Sequence, residues 1–170
     1  MAASVLATDE AALWHAHGSE IYRYLLRLTG RKETAEDLTQ ETFLRAIRQL
    51  RSMKEPPENP RAWLYRIATN QAVDLCRRNR LVSWVPFSHR HIGVGEDPTR
   101  SLGEQDRVLQ ALRKLPPQSA AMLLLKDADG FSTREIAAML GQNYEAARKR
   151  LARAREALRQ EYLRMKGREL

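Results

Sequence analysis

Ser132-Thr133-Arg134-Glu135 is followed by Gly141-Gln142-Asn143 and then by Arg148, Lys149, Arg153, Arg155 and Arg159. These residue types suit nucleic-acid recognition rather than bond making. Ser132 with Glu135 three residues on is a capping box, opening a short helix that holds Ile136, Ala137 and Leu140 inside. Gly141-Gln142-Asn143 breaks that helix. Asn143 caps a longer one whose inner face is Ala147, Leu151, Ala154 and Leu158. At about 100° per residue, this inner face leaves Glu145, Lys149, Ala152 and Arg153 pointing outward, with Arg148 on the flank. A short helix, a Gly-containing turn and an Arg-rich second helix make a helix-turn-helix, whose second helix meets base edges with its first turns. Arg148 and Lys149 are placed for guanine edges, where a bidentate contact gives about 1–3 kcal/mol of discrimination. Arg153, Arg155 and Arg159 suit phosphates, which position without specifying. Glu145 on the same face either accepts from a cytosine amino group or repels phosphate. A solvated amphipathic helix would carry the same charge, but would not need the capped helix and turn before it.

A second stripe joins Trp63, Arg66, Asn70, Asp74 and Arg77 at spacings of three, four, four and three, one face of a helix. Tyr65 adds a second ring near its start. Rings stack on unpaired bases for about 1–3 kcal/mol each, and amides read exposed base edges. Arg77, Arg78 and Arg80 continue the basic track. The competing reading makes Trp63 and Tyr65 core residues.

Other chemistry is not expected. His15-x-His17 and His89-x-His91 lack an acid or Cys at metal-ligand spacing. Asp127-x-Asp129 fails as a calcium loop, because Ser132 and Ala138 stand where Gly and Glu are required. No phosphate-binding Gly-rich loop and no Ser-His-Asp set occurs. Cys76, close to Val73 and Leu75, reads as a packing residue. No cofactor, small-molecule substrate or catalytic role is expected.

Lys and Arg number 29 and Asp and Glu 21, a formal charge of +8, with 43% hydrophobic residues. Where the excess lies is more telling than its size. Residues 1–60 hold eight Lys/Arg against nine Asp/Glu, residues 61–100 seven against three, and residues 101–170 fourteen against nine. The front, with Glu33, Glu36, Asp37 and Glu41 clustered, suits a protein partner, and the basic remainder suits phosphates. One Cys excludes a disulfide framework. No apolar run approaches the roughly 20 residues of a membrane span, and no signal peptide is read at the start. A cytoplasmic protein without membrane insertion is expected.

Helical periodicity dominates throughout. Trp14, Ile21, Leu25 and Leu28 mark a first helix ended by Gly30. Thr34 precedes a second, with Ala35, Leu38, Phe43, Ala46, Ile47 and Leu50 as its apolar stripe. Pro56, Pro57 and Pro60 make a loop, and Pro60 starts a third helix running to about Arg80, with Leu64, Ile67, Ala68, Gln71 and Leu75 inside. From Leu81 to Ser101 periodicity fails, which predicts a linker. A helix through Leu102, Val108, Leu109 and Leu112 then stops at Leu115-Pro116-Pro117. The expected fold is all-α: two small helical bundles joined by a flexible linker, the C-terminal one containing the helix-turn-helix.

The run Ala35-Glu36-Asp37-Leu38-Thr39-Gln40-Glu41-Thr42-Phe43-Leu44-Arg45-Ala46, with Trp63-Leu64-Tyr65-Arg66-Ile67-Ala68-Thr69-Asn70, resembles domain two of bacterial sigma factors of the extracytoplasmic-function (ECF) class. Leu115-Pro116, the segment from Gly130 to Gly141, Arg148 and the run Arg153-Ala154-Arg155-Glu156-Ala157-Leu158 resemble domain four. The resemblance implies domain two over 1–80, a linker over 81–101 and domain four over 102–170. It implies an alternative sigma factor that directs promoter recognition, DNA melting and transcription initiation. Asp37, Leu38, Gln40, Glu41, Phe43 and Leu44 would dock on the clamp helices of the largest subunit of core RNA polymerase, and domain four would meet the flap. Trp63, Tyr65, Arg66, Asn70, Asp74 and Arg77 would hold the minus-ten element with a flipped base. Glu145, Arg148, Lys149, Ala152 and Arg153 would read the minus-thirty-five duplex. An anti-sigma factor, often membrane-bound in this class, is a further implied partner. The sequence departs from many members where Glu145-Ala146-Ala147 replaces Gly-Thr-Val, and in the Pro-rich loop Met53-Lys54-Glu55-Pro56-Pro57. The residues also admit two rival readings: a self-sufficient helix-turn-helix regulator, and an enzyme acting on nucleic acid.

Overall fold

The computed structural model describes residues 2–82 and 103–167. Among the described residues seven α-helices run in chain order: α1 Ala2–Thr29, α2 Lys32–Ser52, α3 Pro60–Val82, α4 Glu104–Lys114, α5 Pro117–Leu123, α6 Thr133–Met139 and α7 Tyr144–Lys166. A single π turn, Leu124–Ala128, extends α5. The expected linker, 81–101, lies outside the described residues except for its first two, which continue α3. His89 and His91 lie outside them as well.

Local signals explain the helix ends. Gly30 takes φ +73°, a left-handed conformation that stops α1 without the cost a Cβ would bring. Pro60 opens α3, where its missing N–H costs nothing, and Asn59 Oδ1 accepts from the Ala62 N–H at 3.0 Å. α2 starts at Lys32, so Thr34, expected to precede it, lies inside its first turn, and no side chain caps it. α4 carries Glu104 and Asp106 in its first turn and Arg113 and Lys114 in its last, the order that complements the helix dipole.

The capping box forms as expected. Ser132 Oγ accepts from the Glu135 N–H at 3.2 Å, and the Ser132 N–H donates to Glu135 Oε2 at 2.7 Å. The bond from the Ser132 backbone holds the Glu135 carboxyl below its usual range. Asn143 Oδ1 accepts from the Ala146 N–H at 2.8 Å and caps α7. Ser132→Ala is therefore expected to lower the unfolding free energy by about 1 kcal/mol, read by chemical denaturation.

In the first bundle, Ile21, Tyr24, Leu25 and Leu28 of α1 meet Ala35, Leu38, Phe43 and Ala46 of α2 and Leu64, Ile67, Ala68 and Ala72 of α3. Trp14 departs from the expected inner face of α1. It is 45% exposed and packs edge-on to Phe43, with ring centroids 4.6 Å apart. Thr39 and Thr42 are buried and bond back to the carbonyls of Ala35 and Leu38, which satisfies their hydroxyls inside the helix. In the second bundle, α7 packs on α4, α5 and α6 through Ala147, Leu151 and Ala154. Leu158, expected inside, is half-buried at the edge.

The two bundles sit on one another. α3 packs against α5 and α6, and α1 against α4, α5 and the π turn. A row of rings runs through the junction: Tyr24 to Tyr65 at 5.1 Å and Tyr65 to Phe131 at 4.9 Å between centroids.

Candidate nucleic-acid interface

α3 presents Arg66, Asn70, Asp74 and Arg77 as one exposed line, as their spacing requires. Trp63 at its head is half-buried, one side packed on the core. The opposite face holds Leu64, Ile67, Ala68 and Gln71, so α3 is rigidly held while its polar edge faces outward.

Tyr65 is not on that edge. It is fully buried, and its hydroxyl donates to Asp129 Oδ1 at 3.0 Å. Burial, together with the Asp129 charge, pushes the Tyr65 hydroxyl pKa well above its ordinary value. Tyr65 lies two positions after Trp63, which turns it about 200° around the helix and into the junction. In this arrangement Tyr65 offers no ring face to a base, so it is corrected from an exposed stacking residue to a junction residue.

On α7, Glu145, Arg148, Lys149, Ala152 and Arg153 are all exposed, as the helical wheel requires. Lys149, Arg150 and Arg153 line a groove of about 520 Å³ with Pro116, Ser119 and Ala146. Its charge matches a phosphate backbone. Arg148 donates through Nη2 to Glu145 Oε2 at 3.1 Å. Glu145 therefore pairs with its neighbour one turn away in the unbound chain. Arg155 and Arg159 are also paired, with Asp127 at 2.7 Å and Glu156 at 3.3 Å. Arg150 donates to Gln118 Oε1 at 2.9 Å, which ties α7 to α5.

On α2, Asp37, Gln40 and Leu44 are exposed, the last at 48%, and Glu41 pairs with Arg45 at 2.8 Å. That Arg45 bond holds the Glu41 carboxyl below its usual range. Leu38 and Phe43, expected on the docking face, are buried at 9% and 3% exposure. Their place in the apolar stripe sends both side chains to the core, so they support this face from beneath rather than form it. Trp14 lies beside Glu36 and Gln40 across a shallow groove.

One cluster escaped the sequence reading. Arg61, in the first turn of α3, donates from Nε to Glu20 Oε2 at 2.9 Å and from Nη2 to the Asp129 carbonyl at 2.9 Å. Its Cζ lies 4.3 Å from the centre of the Phe131 ring. Arg27 Nη1 stands 3.5 Å from Asp129 Oδ1. Burial raises the Asp129 carboxyl pKa, against the pull of the Tyr65 hydroxyl and the two guanidinium groups. Burial also opposes the charge on Arg61, but the bond and charge of Glu20 more than restore it. In the sequence Asp129 stands out only as part of the rejected calcium-loop pattern. No spacing links residues 68 positions apart, so only its position beside Gly130 hinted at a special turn.

Among the described residues no group of three or more metal-binding side chains occurs, and no helix is long and apolar enough to cross a membrane.

Residues 13–82 match the Sigma-70 region 2 family and residues 105–158 match Sigma-70 region 4. The chain is 36% identical to the ECF RNA polymerase sigma factor SigE of Mycolicibacterium smegmatis over 89% of its length, and spans 63% of that protein. It is 34% identical to the ECF RNA polymerase sigma factor SigL of Mycobacterium tuberculosis, covering 93% of this chain and 91% of SigL. Among solved structures, the sigma factor RpoE in complex with the anti-sigma factor NepR, from Bartonella quintana, superposes with a TM-score of 0.71. It is 26% identical, over 92% of this chain and 97% of that one. CnrH in complex with the cytosolic domain of CnrY gives a TM-score of 0.61 at 27% identity, over 91% of this chain and 92% of that one. With both regions matched in order, and with this likeness to SigL along nearly its whole length, the chain belongs to the ECF RNA polymerase sigma factors.

Proposed function

We propose that this chain binds core RNA polymerase and directs it to promoters, with each bundle taking one DNA element. The observation that carries the reading is the pair of exposed recognition edges, the α3 line and the α7 face, on separate bundles of one chain. Residues 1–80 act as domain two and 102–170 as domain four, joined by 81–101. The exposed members of the α2 face, Asp37, Gln40, Glu41 and Leu44, dock on the clamp helices, while Leu38 and Phe43 hold their backbone in place. Domain four meets the flap.

The energetic task is strand separation. Each stacked step costs about 1.4 kcal/mol, and extruding a base costs a few more. Arg66 and Arg77 neutralise phosphate along the separated strand, Asn70 offers an amide to a base edge, and the open side of Trp63 offers a stacking surface. On the duplex upstream, Arg148 and Lys149 read base edges, with Arg153 on phosphate and Glu145 and Ala152 beside them. RNA synthesis belongs to polymerase, so no catalytic group is required here and the protein acts in the cytoplasm. The structural relative RpoE was solved with the anti-sigma factor NepR, which supports an anti-sigma partner for this chain.

Run-off transcription with core polymerase across a genomic fragment library tests the reading. Defined start sites that depend on this chain are expected, and their absence refutes it. A gel shift showing tight, specific duplex binding without polymerase would favour the self-sufficient regulator. Asn70→Ala is expected to slow promoter opening severalfold, read by permanganate reactivity, with closed-complex affinity unchanged. Equal loss of both would remove Asn70 from strand capture.

A further inference from the structure

Before Arg155, Glu145 is the only acid in α7, and it stands on the exposed face among cations. A surface that only gripped phosphate would gain nothing from it. Burial of Ala147, Leu151 and Ala154 fixes the rotation of the helix, so Glu145, Arg148 and Ala152 stand in one outward line. Ala152 has no side chain beyond its Cβ and leaves the approach to Arg148 open. The head of the helix is braced on two sides. Asn143 caps it, and Arg134 of α6 holds the Tyr144 ring, with Cζ 5.7 Å from the ring centre. Glu145 Oε2 accepts from both Nε and Nη2 of Arg148, at 3.3 and 3.1 Å. One carboxylate oxygen thus occupies a whole fork of the guanidinium, while Oε1 has no hydrogen-bond partner among the described residues. The Arg148 and Glu145 side chains are 62% and 61% exposed, so water screens the bridge and it is easily exchanged. A carboxylate in a first turn also suits the helix dipole, but that role needs neither the outward line nor Arg148.

We infer that Glu145 is a specificity-determining residue: when Arg148 leaves the bridge for a guanine, the freed carboxylate selects a cytosine at the adjoining base pair. The inference rests on the duplex-reading role proposed for α7 above. Guanine O6 and N7 offer the fork of Arg148 two acceptors in place of one oxygen. Glu145 is then left facing the groove with its charge unmatched, and needs a donor. Cytosine N4 and adenine N6 are the major-groove donors. Adenine sets its N7 acceptor beside its amino group, where it repels a carboxylate, whereas cytosine sets a C–H there. Thymine and guanine offer acceptors alone and repel it outright. Cβ atoms one helical turn apart are separated by about 5–6 Å, and stacked base pairs by about 3.4 Å, so the two side chains reach neighbouring pairs rather than the same one. A wrong base at the cytosine strands the carboxylate, so Arg148 keeps its bridge and the guanine goes unread.

Run-off transcription by the holoenzyme, competed among promoters carrying each base in turn through the minus-thirty-five element, tests this. Wild type is expected to prefer a guanine and an adjoining cytosine. Glu145→Gln keeps the length and trades the carboxylate for an amide, which bonds adenine N6 and N7 together. The preference at the cytosine is therefore expected to turn to adenine by about tenfold, with the guanine preference kept. Glu145→Ala is expected to lose the cytosine preference and gain no other. Selection of duplexes by the full chain from a random pool at low salt reads the same positions without polymerase. A cytosine preference that survives Glu145→Ala, a Glu145→Gln variant that does not turn to adenine, or an equal loss on all promoters would each overturn the inference. So would loss of helical circular dichroism in both variants, which would make Glu145 a folding residue. Failure of wild type to direct any start site would instead sink the proposed function, and the duplex selection would still decide Glu145.

Discussion

Tyr65→Ala is expected to remove about 3–5 kcal/mol of folding stability, the range for truncating a large aromatic in a packed interior. Native domains have only about 5–15 kcal/mol in total, so the variant should unfold at far lower urea. The ring is fully buried between Tyr24 and Phe131, and no solvent can fill its place without wetting both. Tyr65→Phe separates the ring from the hydroxyl. It keeps the stacking but removes the donor to Asp129, and is expected to cost about 1–3 kcal/mol, because the acceptor stays buried. Urea denaturation followed by circular dichroism measures both. A nearly neutral Tyr65→Ala would mean that the ring already faces water, and would return Tyr65 to the exposed stripe.

Arg148→Ala is expected to relax promoter choice at one minus-thirty-five position by about 1–3 kcal/mol, the value of one bidentate base contact. Competition between promoters that differ at single positions would reveal it. An exposed ion pair contributes at most about 1 kcal/mol, so the Arg148–Glu145 bridge gives way readily to a better base contact. It also fixes the rest position of the guanidinium over the first turn of α7. Lys149→Ala offers the contrast: weaker binding to all sequences, and a salt dependence shallower by about 0.9 in log–log slope. If Arg148→Ala behaved in the same way, it would be a phosphate contact and base reading would fall to its neighbours.

Helix identity, most helix ends and both recognition edges could be read from the chain before any fold was known. Each depends on neighbours one or two turns away. Ser132 meets Glu135, Asn143 meets Ala146, and Arg66, Asn70, Asp74 and Arg77 line up because 3.6 residues make a turn. The pairing of Arg148 with Glu145 was equally available, at a spacing of three. The family resemblance rested on the same local runs. Where one residue was given two roles, as Leu38 and Phe43 were, periodicity favoured the core, and the structure buries both.

The fate of Tyr65, Arg61 and Asp129 was settled at another level. Tyr65 and Arg61 each find Asp129 more than sixty residues away. Nothing in their spacing distinguishes a ring that stacks on a base from one that seals a junction, because both need an aromatic near the start of the same helix. What separates the two outcomes is which helices meet. That depends on the summed burial of many side chains across both bundles, and on a π turn that carries one carboxylate to a hydroxyl. Periodicity records what each helix turns inward, whereas the partner it turns toward is chosen by the packing of the whole chain.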